Sequence, residues 1–156
     1  MVRKRKVLPL INIFYKMKLL QKDITLKPYK RGYHIITETV IKSFPEIKKI
    51  QHGFLQVFIK HTSASLTVNE NADPTVREDF ESHINKMVPE NAPYYKHDYE
   101  GSDDMPAHIK ASLMGVSVQV PVTNGRLNMG IWQGIYLCEH RNYASGRNLV
   151  MTLWGN

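Results

Sequence analysis

Only one cysteine, Cys138, occurs in this chain, and that scarcity excludes two classes of small protein. No disulfide framework can form within a single copy, and neither can a zinc site built from several thiolates. A lone thiol suits a reducing compartment, so the chain is expected to be cytoplasmic. Signature loops are missing as well. There is no G-x-S-x-G elbow and no Walker-type loop, which argues against a serine hydrolase and a P-loop enzyme. H-E-x-x-H is absent, and so are internal repeats and low-complexity linkers. The apolar part of "MVRKRKVLPLINIFYK" runs to about nine residues, short of the roughly 20 that span a bilayer. No small-residue cleavage site follows it, so a membrane role is not expected.

Acidic charge is absent from the first 16 residues. They carry Arg3, Lys4, Arg5, Lys6 and Lys16, which is +5 of the chain's net +7. Residues 17–156 hold the other 16 basic side chains against 14 acidic ones, a net of +2. A domain that binds a duplex carries its basic excess as a stripe on the folded surface, so nucleic-acid binding is not expected either. The tail reads as an extension ahead of one domain spanning 17–156, with Met17 an alternative start. Its other reading is a weak basic anchor to an anionic surface.

What the sequence does contain is a mixture of strands and a few helices. Residues 19–27 read as a strand, and 34–50 as a short strand passing into a helix with Ile36, Val40, Ile41, Phe44, Ile47 and Ile50 apolar. "GFLQVFIKHT" is a strand with Leu55, Val57 and Ile59 on one face. Phe54 and Phe58 occupy the other, which predicts a central strand covered on both sides. "DPTVREDFESHINKMVP" is a helix capped by Asp73, entered through Pro74 and ended by Pro89. Val76, Phe80, Ile84, Met87 and Val88 form its expected core stripe. A second helix runs from about Asp104 to Leu113 or Met114 and stops at Gly115. Asn124-Gly125 predicts a hairpin. Residues 131–141 alternate, with Trp132, Tyr136, Cys138 and His140 on one face and Gln133, Glu139 and Arg141 on the other. "RNLVMTLWG" is the last strand. The sum is an α+β domain of antiparallel sheets with two or three helices.

Candidate chemistry gathers at the ends of these elements. His61 follows a strand, His97 and His108 flank an acidic loop, and His140 ends a late strand. "EGSDDMPAHIK" holds Glu100, Asp103 and Asp104 ahead of Pro106, more acid than capping requires. With His97 before it and His108 a turn later, this edge can hold Mg²⁺ through oxygen donors, or Zn²⁺ through the imidazoles. "HTSASLTVNENADP" offers Thr62, Ser63, Ser65, Asn69 and Asn71, neutral groups suited to a phosphate or a polar ring near a helix start. Its plainer reading is a polar loop that satisfies its own backbone. Arg141, at the end of "GIWQGIYLCEHRN", is a candidate anion clamp.

Together these three stretches, in this order and spacing, resemble the YjbQ family over essentially residues 17–156. The resemblance implies a small protein of packed antiparallel sheets with outer helices, assembled as a homotrimer. It also implies a weak or auxiliary thiamine-phosphate synthase activity, in which a hydroxymethylpyrimidine diphosphate joins a thiazole phosphate and releases pyrophosphate. The other reading is a binding protein for a metal or another phosphorylated metabolite. On the transferase reading His61, His108 and His140 orient substrate or move protons. Thr62, Ser63, Ser65, Asn69, Lys110, Gln133 and Arg141 contact the phosphorylated substrates. His97, Glu100, Asp103 and Asp104 hold a divalent metal, Mg²⁺ first and Zn²⁺ second. Ile131 departs from the family pattern, which has threonine there.

Overall fold

The computed structural model describes residues 16–156, so all of the basic tail except Lys16, and its expected anchoring role, lie outside the described residues. Strands β1 (Lys18–Leu26), β2 (Gly32–Ile35), β3 (His52–Ile59) and β4 (Ala64–Glu70) make up the first half with helix α1 (Thr37–Ser43) and a 3-10 turn at Pro45–Lys49. Helices α2 (Pro74–Met87) and α3 (Asp104–Met114) follow. Strands β5 (Ser117–Thr123), β6 (Arg126–Leu127), β7 (Gln133–Glu139) and β8 (Arg147–Gly155) complete the chain. They pair as a five-stranded sheet, β1-β8-β3-β5-β6, and a three-stranded sheet, β2-β7-β4, with every ladder antiparallel. The α+β expectation holds.

One core lies between the sheets. Leu55, Val57 and Ile59 of β3 meet Leu149, Met151 and Leu153 of β8 and Val120 and Val122 of β5 on the large sheet. Leu66, Ile135 and Leu137 face them from the small one. Burying one such side chain stabilises by roughly 1.5–3 kcal/mol. Ile36, Val40, Phe44, Ile47 and Ile50 join this core from α1 and the 3-10 turn, as their spacing predicted, whereas Ile41 is only half-buried and lies outside it.

Three expectations need correction. β3 is central but not covered on both sides, because Phe54 and Phe58 are each 40% exposed. Nothing among the described residues packs over that face of the large sheet, although Phe54 lies 5.6 Å from the Trp154 ring. The α2 stripe is a core stripe only in part, with Phe80 packed on the Tyr33–Tyr136–Cys138 cluster. No residue of α2 is fully buried, Met87 is exposed, and only Val88 beyond its end is enclosed. α2 lies on β2, an edge strand, and gives part of its inward face to Glu81 and Asn85, which bind Arg31. Finally, Ile131 and Trp132 belong to the turn before β7 rather than to the strand.

From Gly134 onward β7 is buried on both faces, being the middle strand of its sheet. Its odd positions Ile135 and Leu137 face the main core. Tyr136 and Cys138 face outward with Tyr33, under Phe80 of α2 and Met114 of α3. Burial pushes the Cys138 thiol up to about 12, so it is not an accessible nucleophile. The hairpin at Asn124-Gly125 has φ of 52° and 73°, as a two-residue primed turn requires.

Candidate functional site

The acidic loop and the start of α3 face the end of β7, and one arginine binds them together. Asp103 occupies the N-cap position, yet its side chain accepts nothing from the helix amides. Its Oδ2 instead accepts from Arg141 Nε at 3.1 Å and from the Asn142 amide at 2.7 Å. Arg141 Nη1 donates to Asp104 Oδ1, and Nη2 donates to the Glu100 carbonyl at 2.9 Å. The Glu100 carboxylate lies 3.6 Å from Arg141. The surplus acids are therefore spent on a guanidinium 37 to 41 residues away rather than on capping.

Asp104 has a second side to its environment. It is only 2% exposed, and its Oδ2 has no aligned hydrogen bond even though His97 Nε2 stands 2.8 Å away. His108 Nε2 lies 3.6 Å from Oδ1, one helical turn on. The two imidazole rings are 5.4 Å apart. One donor atom from each of His97, Asp104 and His108 falls within 4.8 Å of the others. His108 Nδ1 sits 3.0 Å from the Thr62 carbonyl. A carbonyl only accepts, so Nδ1 carries a proton, and Nε2 is the ring nitrogen that faces Asp104. His97 is more than half exposed, which leaves one side of the cluster open to solvent.

The other histidines do not join this cluster. His140 is buried 2.8 Å from Ser65 Oγ. Burial first, then the charges of Lys110, Arg31 and Arg147, push its pKa down to about 3. His61 Nε2 accepts the Asn148 amide at 2.8 Å, and burial with neighbouring Arg147 lowers its pKa. Both rings are neutral at pH 7. Lys110 is fully enclosed against Asn85 Oδ1 at 2.6 Å, and burial followed by Arg31 lowers its pKa to about 8. Thr62 offers the cluster its carbonyl, Ser63 has no side-chain partner among the described residues, and Ser65 serves His140.

Asn69 and Gln133 lie elsewhere. They sit at the far end of the β4–β7 ladder, where Asn69 pairs with Gly134 and Glu70 with Gln133. Thr62, at the His97–Asp104–His108 cluster, precedes the near end, so at about 3.3 Å per residue the two ends are roughly 20 Å apart. A shallow depression there is lined by Val68, Asn69, Glu70, Trp132 and Gln133, and Trp132 is 62% exposed above it. One small substrate cannot touch both ends of the same chain.

Two further arginines organise the surroundings of the site. Arg147 makes a two-pronged pair with buried Glu139, at 2.7 and 2.6 Å. Arg31 gathers Glu81 at 3.2 Å, Glu90, Asn85 at 2.6 Å and Asn142 at 3.1 Å. Neither position carries a signal by itself, since both look like ordinary cations beside turns.

Comparison with known proteins now supplies the family. The family model described as "UPF0047 protein YjbQ-like" matches residues 22–156. The chain belongs to the YjbQ family. It is 51% identical to the UPF0047 protein YjbQ of Salmonella typhimurium over 135 residues, 86% of this chain and 97% of that one. The Bacillus subtilis protein YugU is 37% identical over 118 residues, covering 76% and 87%. A crystal structure from Clostridium acetobutylicum, of an uncharacterised conserved protein of the same family, aligns with a TM-score of 0.75 at 38% identity. It covers 85% of this chain and 98% of that one. A protein of unknown function from Sulfolobus solfataricus aligns at 0.78 with 26% identity, over 90% and 99%. Among the described residues no helix is long and apolar enough to cross a membrane.

Proposed function

We propose that His97, Asp104 and His108 hold a divalent transition-metal ion that serves binding and chemistry on a small phosphorylated substrate. The observation that carries this reading is the buried Asp104 oxygen with no aligned hydrogen bond, set between two imidazole nitrogens. Two nitrogens and one carboxylate suit Zn²⁺ or another first-row transition ion better than Mg²⁺, which prefers oxygen throughout. A metal bound there would neutralise phosphate charge and polarise the group that departs. The need for such a charge follows from the rest of the site. Arg141 is committed to Asp103 and Asp104, Arg147 to Glu139, and Lys110 is enclosed. Among the described residues, these three cations are therefore already engaged and do not readily receive a diphosphate.

Within this reading each residue has a task. The Thr62 carbonyl fixes the His108 tautomer, and Arg141 orients Asp104 from behind. Exposed His97 and Glu100 border the open side, where substrate would approach. Asn69, Gln133 and Trp132 contribute only if another copy supplies them, which fits the homotrimer implied by the sequence resemblance. The specific reaction is the joining of hydroxymethylpyrimidine diphosphate to thiazole phosphate. It calls for charge stabilisation at the departing pyrophosphate rather than a protein nucleophile. Metal-dependent condensation by purified protein, lost in Asp104→Asn, tests this; full turnover after metal removal would contradict it. If metal binds but no condensation occurs, thermal-shift screening of phosphorylated metabolites addresses the second reading, a binding protein for a different ligand.

A further inference from the structure

An apolar cavity of about 530 Å³ opens between the 3-10 turn and the β5–β6 hairpin, and it shares no residue with the site above. Phe44, Ile47, Leu127 and Met129 wall it, while Lys48 and Arg126 stand at its edge. No acidic side chain lines it, and neither cation has an ion-pair partner among the described residues. The segments that carry the two cations are tied together through their backbones. Gly125 N donates to the Ile50 carbonyl and Asn124 N to the Gln51 carbonyl, both at 2.8 Å. A Cβ on Gly125 would lie 2.8 Å from the Lys48 carbonyl oxygen, so the hairpin tip is pressed onto the 3-10 turn. Its φ of 73° suits glycine as well.

We infer that this cavity is a binding site for a small amphipathic anion. An unbranched hydrocarbon tail fills the interior, and one carboxylate lies between Lys48 and Arg126. The volume falls in the range that encloses small-molecule ligands. Its walls give water few polar partners, so hydrocarbon gains by replacing it. Two unpaired cations at a preformed edge supply the charge complement that an apolar pocket alone lacks. The site is independent of the metal reading and stands if that reading fails.

Titration of full-length protein with hexanoate, octanoate and decanoate, followed by amide NMR shifts, tests the proposal. Affinity is expected to rise about fourfold per methylene. Shifts should centre on Ile47, Gly125 and Leu127. Lys48→Gln with Arg126→Gln, both exposed positions, should weaken decanoate about tenfold and leave decanol unchanged. Affinity independent of chain length, equal weakening of decanol, or shifts centred at His97 and His108 would each overturn it.

Discussion

His97 reaches Asp104 at 2.8 Å without aligning a hydrogen bond, while Arg141 holds the same carboxylate from the opposite side. A buried acceptor left in that state costs about 1–3 kcal/mol. A cation between the imidazoles would remove the cost. Zn²⁺ at a hundred times its Kd should therefore stabilise the chain by about 2.7 kcal/mol. For a domain of this size the melting temperature then rises by roughly 5–10 °C. Differential scanning fluorimetry with Zn²⁺, and again with chelator, reads it directly.

Arg141 also offsets the charge of Asp103 and Asp104, which are both nearly inaccessible. Arg141→Met removes the cation and leaves two enclosed carboxylates. A loss of about 3–5 kcal/mol is expected in urea unfolding at pH 7. A change under 1 kcal/mol would mean that the acids are solvated by another route.

Glu139 and Arg147 are a separate enclosed pair, joined by two hydrogen bonds. Arg147→Met alone should cost about 3–5 kcal/mol, because the Glu139 charge is stranded. Adding Glu139→Leu should restore much of that stability, since the desolvation penalty disappears with the charge. A double-mutant cycle measures the coupling.

His140 gives a pH signature. Its pKa is near 3 in the folded chain and near 6.5 when unfolded, so only the unfolded form takes up a proton between those values. Stability from this residue is complete above pH 6.5 and falls toward pH 3 by up to about 1.4 kcal/mol per unit. His140→Asn loses the Ser65 contact at every pH but flattens that slope. Unfolding free energies for both proteins at pH 7, 6, 5 and 4 test the difference.

Much of the fold was legible from local pattern. The Asp73 cap accepts the Thr75 amide at 2.8 Å, the Asn-Gly turn forms, and the inward row of β3 is as alternation required. Local pattern could not say whether Phe54 and Phe58 were covered, because that depends on what lies beyond the sheet. Three acids before Pro106 were visibly too many for a cap. Their partner was not visible, since Arg141 meets them only after β7 is threaded through the middle of its sheet. The pairing of Glu139 with Arg147 was hidden for the same reason. Gln133 and Asn69 share short polar stretches with the candidate site residues, whereas the β4–β7 ladder holds them at its other end.

The proposed metal site is tested most directly by isothermal titration of chelator-treated protein with Zn²⁺ and with Mg²⁺. One Zn²⁺ per chain is expected, with Mg²⁺ at least about a hundredfold weaker. Asp104→Asn, His97→Ala and His108→Ala should each reduce Zn²⁺ affinity by tenfold or more while the far-UV spectrum stays unchanged. Equal Zn²⁺ affinity in the wild type and all three variants would contradict the assignment.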